Sequence, residues 1–148
     1  MTVDYDPALL SDPNYALGVL CSEFYERFGE KAAQIIMKVC YQRGLTLGKG
    51  LGKKGEKSFE DAVRLFVAAS EKTKTPAKLI SLEKNGAVFQ GKGCPLGLQG
   101  RGRAICEMMM SLDRGIIEEA SGRKVKIKVI KTMAAGDDFC EVLFEVEG

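Results

Sequence analysis

Apolar residues recur at two different periods along this chain, and the period changes near Pro76. Before that point the spacing is helical. Asp12 followed by Pro13 reads as a helix start, because the aspartate can cap the first N–H groups and proline has none to leave unpaired. Leu17, Leu20, Cys21, Phe24 and Phe28 then repeat three and four residues apart, which predicts one apolar helical face. Gly29 is a natural stop. A second helix carries Ala32, Ile35, Ile36, Val39 and Cys40 on one face, and Ser58 caps a third with the stripe Phe59, Ala62, Val63 and Phe66. Residues 1–12 read as an irregular lead-in. Residues 44–57, rich in glycine and lysine with little to bury, read as a flexible basic connection rather than a domain boundary.

After Pro76 the pattern shifts. Residues 79–84 and 87–90 flank Asn85-Gly86, a strong hairpin signal because both residues tolerate the positive φ such turns use. A fourth helix follows, with the stripe Ile105, Met108, Met109, Leu112 and Ile116, and Gly122 ends it. Val125, Ile127 and Val129 then alternate with Lys124, Lys126 and Lys128. Beyond a turn at Ala135-Gly136-Asp137, Cys140, Val142, Phe144 and Val146 alternate with Glu141, Leu143, Glu145 and Glu147. That period of two predicts a second hairpin with facing Lys and Glu rows. Three helices, a hairpin, a helix and a hairpin imply an α+β fold, one domain over residues 1–148, with helices on one face of an antiparallel sheet.

Composition narrows the chemistry more than the fold. The 148 residues are 45% hydrophobic and 28% charged, ordinary values for a globular chain, with a net charge of +2. That charge is too small to point to nucleic acid. The Lys row has its Glu partner row and no interleaved aromatic residues on which bases could stack. No apolar run is long enough for a bilayer span. Histidine is absent, which excludes His-based triads, His-Cys dyads and His-ligated metals. Five cysteines, behind a start that carries Asp4, Asp6 and Asp12 but no Lys or Arg, read as reduced thiols in the cytoplasm, without an export signal.

Cys94, Cys106 and Cys140 are the candidate chemical residues. Cys106 falls in the first turn of the fourth helix, where free N–H groups and the helix dipole favour a thiolate. Cys94 precedes Pro95 in the loop entering that helix, and Cys140 opens the last strand beside its turn. One reading is zinc or iron held by the three thiolates with a carboxylate or water. Asp113, two turns beyond Cys106, is about 10 Å away along the helix axis, too far to share an ion with it. A second reading is a single attacking cysteine, and a third is that all three are small buried hydrophobes. Cys21 and Cys40 lie on apolar stripes and read as core. Met108, Met109 and Met110 could line an adaptable pocket or pack the core. Arg101 and Arg103 could clamp a substrate carboxylate, since guanidinium presents a matching fork. Gly48-Lys49-Gly50 does not make a phosphate loop, because it follows a helix and lacks the motif's spacing.

The string Cys94-Pro95-Leu96, then Cys106, then the run from Lys131 through Ala135-Gly136-Asp137-Asp138-Phe139-Cys140 resembles L-2-amino-thiazoline-4-carboxylic acid hydrolases. The same ending is similar to the wider 4-vinyl reductase domain superfamily of small-molecule and hydrocarbon-binding modules. The likeness spans about residues 88–147. It implies a ligand cavity between helices and sheet, a site at Cys94, Cys106 and Cys140, and zinc at positions comparable to Cys106 and Cys140. The chain departs from the pattern by having no further cysteine near Ala134, and by placing Met109 or a neighbour where hydrolase members tend to carry an acidic residue shortly after the middle cysteine.

Two functions follow. In the first, the protein hydrolyses a C–N bond in a small cyclic amidine or thiazoline carboxylate. Cys94, Cys106 and Cys140 are then its catalytic or metal-holding groups, and Arg101 or Arg103 its carboxylate clamp. In the second it is a non-catalytic ligand-binding or sensor module, with Met108, Met109 and Ile116 lining the pocket. Either way the expected partners are a small molecule and further copies of the chain.

Overall fold

In the computed structural model, which describes residues 5–51, 58–73 and 75–148, the chain is α+β. A 3-10 turn at Pro7–Leu9 precedes α1 (Pro13–Phe28), α2 (Glu30–Lys49) and α3 (Phe59–Ser70). Strands β1 (Lys78–Glu83) and β2 (Gly86–Gly91) lead to α4 (Arg103–Met109) and α5 (Ser111–Ser121). Strand β3 (Val125–Lys131), a 3-10 turn at Met133–Ala135 and β4 (Cys140–Val146) complete the order. The caps fall where the sequence places them. Asp12 accepts N–H groups from Asn14 and Tyr15, and Ser58 accepts that of Asp61.

The two hairpins merge into one antiparallel sheet of order β1-β2-β4-β3. Its inner face presents Ala87, Phe89, Val125, Val142 and Phe144 to Phe59, Val63 and Ile117 from α3 and α5. Phe89 and Phe144 meet edge to face at 4.9 Å between centroids. A second cluster lies beyond α5. There Leu112 and Ile116 join Ile36 and Cys40 of α2, Met108 and Met109 of α4, and Cys21 of α1. Adjacent Ile116 and Ile117 thus point into different cores, and α5 is the wall between them.

Four local expectations are corrected. The fourth helix is two, broken at Met110: α4 packs toward α1 and the Met133–Ala135 turn, whereas α5 packs on α3 and β3. The start of the expected basic connection is helical, because Gly44 and Gly48 continue α2 and are buried against α5; residues 52–57 of that connection lie outside the described residues. The apolar stripes of α1 and α2 are rotated. Val19, Cys21, Ala32, Ala33 and Ile36 are buried, while Leu20, Phe28, Ile35 and Val39 face outward. Lastly, neither Asn85 nor Gly86 has positive φ. Gly86 is a strand residue paired with Glu83 and Glu145, and the Asn85 carbonyl accepts the Val146 N–H, so the turn moves one residue earlier. The Lys and Glu rows match in part: Lys126 faces Glu145 and Lys131 faces Glu141, but Lys128 faces Leu143.

Candidate functional site

The three cysteines are gathered by backbone pairing. Cys140, first residue of β4, is registered with Gly91, the last of β2, and Cys94 follows three residues later. The 94–102 loop is then tied to the turn after β3: the N–H groups of Gly100 and Gly102 donate to the carbonyls of Met133 and Ala134, at 3.2 and 2.8 Å. On the far side, Gly18 of α1 admits the Leu96 carbonyl so closely that a Cβ at position 18 would lie 1.8 Å from its oxygen. Within the loop Gly97 takes φ +64°, and the Tyr15 ring covers it. The loop is therefore clamped between α1 and the β3–β4 connection, and α4 starts directly from it.

Each sulfur has its own surroundings. The Cys94 sulfur accepts backbone N–H groups of Leu98, Leu96 and Gly97, yet burial, with the charge of Cys140, holds its thiol above the ordinary range. Burial pushes Cys106 up to about 11 against the Thr132 hydroxyl, and the charges of Cys140, Cys94 and Asp113 add to the rise. The sequence-based expectation of a helix-dipole thiolate at Cys106 is therefore reversed: α4 is short and desolvation outweighs its dipole. The Cys140 sulfur accepts the Met133 N–H at 3.4 Å. Asp113, in the first turn of α5, is raised by burial to about 7.

These groups act on one another electrostatically. Among the described residues, no three His, Cys, Asp or Glu side chains are arranged to hold a metal ion.

Beside the thiols lies an open cavity of about 780 Å³. Its walls come from the 3-10 turn and the residues before it (Tyr5, Asp6, Leu9), α1 (Tyr15, Ser22, Glu23, Tyr25, Glu26) and the loop (Cys94, Gln99, Arg101), with Ile105 of α4 also lining it. The Tyr15 hydroxyl accepts the Asp6 N–H at 2.9 Å, joining the turn to α1. Of the sequence-predicted residues, Cys94 and Arg101 reach this cavity. Arg101 Nε donates to the Gly97 carbonyl at 3.1 Å and so braces its own loop. Arg103 serves elsewhere, donating to the Val129 carbonyl and pairing with Glu107. Met108 and Met109 are buried in the helical core, as is Ile116. Met110 and Arg114 border a smaller hollow of about 150 Å³ with Ile127 and Val129.

The tyrosines and acids of the cavity escape sequence reasoning because α1 and the loop meet only in three dimensions, some eighty positions apart. The nearest local signal is Gly97, whose fit under the Tyr15 ring requires the absence of a side chain. A buried brace was also not foreseen. The Glu118 carboxylate on α5 accepts the Tyr41 hydroxyl of α2 and the Val125 N–H of β3, with Lys124 and Arg114 beside it. Burial opposes its charge, but these partners outweigh it and hold its pKa below the usual range.

The architecture is one shared by proteins of widely different sequence. A trafficking protein particle complex subunit 3 from Naegleria fowleri, covalently bound to palmitic acid, aligns with TM-score 0.70 at 14% identity, covering 92% of this chain and 93% of that one. The phenol-responsive sensory domain of the transcription activator PoxR, with phenol, aligns at 0.61 and 15% identity over 99% and 76%. An H-NOX structure concerned with heme distortion aligns at 0.51 and 15% identity over 98% and 74%. These likenesses are of fold. No protein-family model matches the sequence, and no curated protein does. No described helix is long and apolar enough to cross a membrane.

Proposed function

We propose that this chain is a non-catalytic small-molecule-binding module of the sensor type, and that its ligand occupies the cavity between the Pro7–Leu9 turn, α1 and the 94–101 loop. The observation that carries this reading is the cavity itself, whose 780 Å³ falls within the span of small-molecule sites. The shared fold supports it, since the neighbours hold phenol, palmitate or heme. Tyr5, Tyr15 and Tyr25 offer ring faces, and Ser22 and Gln99 offer hydrogen bonds. That lining suits a compact ring compound bearing hydroxyl or amine groups, not a long acyl chain. Haem held through histidine is excluded by composition.

The hydrolase of the family resemblance is the less favoured reading. A cysteine nucleophile works as the thiolate, and burial disfavours that form at Cys94, which lines the cavity. Asp6, Glu23 and Glu26 in the wall also work against a substrate carboxylate, with Arg101 already engaged by its loop. We place the module in the cytoplasm as a homo-oligomer, on the strength of its free cysteines and the exposed apolar residues of α1 and α2.

Titration with phenol, catechol and aniline, followed by thermal shift and by NMR of the tyrosine rings, tests the proposal. The expected result is saturable stabilisation that is lost in Tyr25→Ala and in Gly97→Ala, whose new Cβ would lie 2.4 Å from the Tyr15 ring. Turnover of 2-amino-thiazoline-4-carboxylate by the wild type, abolished in Cys94→Ser, would restore the hydrolase in its place.

A further inference from the structure

The cavity wall has a charge of its own. Asp6, Glu23 and Glu26 bring three carboxylates to it and Arg101 one guanidinium, so the wall is negative in a chain whose net charge is +2. Tyr15, Ser22 and Glu26 follow one another by seven and four residues along α1, which sets them on one helical face. Asp6 reaches the same space as the N-cap of the Pro7–Leu9 turn. Given the ligand-binding reading above, on which this one rests, we propose that the ligand is an organic ammonium ion, a protonated amine carried on a compact aromatic body.

The parts of the wall favour a cation for separate reasons. A carboxylate accepts hydrogen bonds and donates none, so a group facing it must bring donors; an ammonium brings up to three, with the opposite charge. Two of the carboxylates are engaged through one oxygen: Glu23 Oε1 meets Arg27 Nε at 2.8 Å, and Asp6 Oδ1 accepts the Ala8 N–H at 3.0 Å. Glu26 has no partner among the described residues. The Ser22 hydroxyl gives its proton to the Gly18 carbonyl at 2.8 Å, which leaves its oxygen to act as an acceptor. Tyr5, Tyr15 and Tyr25 supply π-faces, whose negative potential attracts a cation. The opposing guanidinium is one against three, and its Nε is tied to the Gly97 carbonyl. Leu9 and Ile105 offer apolar surface for the body of the ligand.

The test uses three probes of one shape and different charge: phenethylammonium, phenethyl alcohol and phenylacetate. Each is titrated into the reduced full chain by calorimetry, with the tyrosine ring signals followed by NMR. The ammonium should bind saturably and about tenfold more tightly than the alcohol, and phenylacetate more weakly than either. High sodium chloride should weaken the ammonium and leave the alcohol unchanged, because salt screens only the charged probe. Glu26→Gln and Asp6→Asn should each lower ammonium affinity by about two- to fivefold without altering that of the alcohol. Glu26 is exposed, and asparagine keeps the oxygen that caps Ala8, so both variants should fold. Alcohol or phenylacetate binding as tightly as the ammonium overturns the assignment of charge and leaves the cavity as the ligand site, as does ammonium affinity that neither variant lowers. Binding of phenols without binding of the ammonium has the same meaning. Silence of all three probes and of the phenols overturns the cavity reading as well.

Discussion

Two acidic side chains on α5 respond to pH with opposite sign. Asp113 is raised by burial to about 7, while an unfolded aspartate titrates near about 3.9. Between those values the folded chain binds more protons than the unfolded one, so stability falls as pH rises, by up to about 1.4 kcal/mol per unit. Asp113→Asn removes the term. Urea unfolding at pH 5 and pH 8 should show the variant gaining on the wild type at the higher pH, and parallel profiles would remove the burial argument. Glu118 behaves conversely: its depressed pKa contributes stability above the unfolded value, lost as pH falls through the folded one. Tyr41→Phe takes away its hydroxyl donor. The expected cost at neutral pH is about 1–2 kcal/mol, and the stability lost on acidification should be smaller and complete at a higher pH.

Among the elements, the contact between α2 and α5 is the closest, and glycine makes it so. A Cβ on Gly44 would meet the Leu112 carbonyl oxygen at 2.1 Å, and one on Gly115 the Tyr41 carbonyl oxygen at 2.5 Å. In an isolated helix, replacing glycine by alanine gains about 1 kcal/mol. Here the obstacle is backbone, which cannot turn aside as a side chain can. Gly44→Ala and Gly115→Ala should each cost about 3 kcal/mol net by denaturant midpoint. The strands and the caps at Asp12 and Ser58 were legible in the sequence, because period and capping chemistry are local. Gly44 and Gly48 were misread as linker for the same reason: a helical glycine and a loop glycine look alike until the partner helix is known. The faces of α1 and α2 were misjudged because both helices are apolar around much of their circumference, so periodicity alone could not say which side meets the core. The grouping of Cys94, Cys106 and Cys140 could be anticipated, since the loop, α4 and the last hairpin are neighbours in order. Their burial, which raises Cys94 and Cys106, could not.

At the scale of the whole molecule, the unused apolar surface is the feature that asks for an explanation. Leu20 and Phe28 on α1 are 68% and 62% exposed, and Ile35 and Val39 on α2 are 51% and 56% exposed. Single exposed leucines are ordinary, but four large apolar side chains on two consecutive helices are what an interface leaves bare in an isolated subunit. A second copy of the chain would cover them, and α1 also lines the cavity. Light scattering across a concentration series should therefore give a mass above the 16.1 kDa of one chain. Leu20→Glu with Val39→Glu should return a folded monomer, since neither side chain belongs to either buried cluster. Unchanged circular dichroism in that double variant would separate lost association from lost folding. A wild type that stays at one chain's mass at high concentration would make these four residues plain surface, and α1 and α2 would then meet only the rest of their own chain.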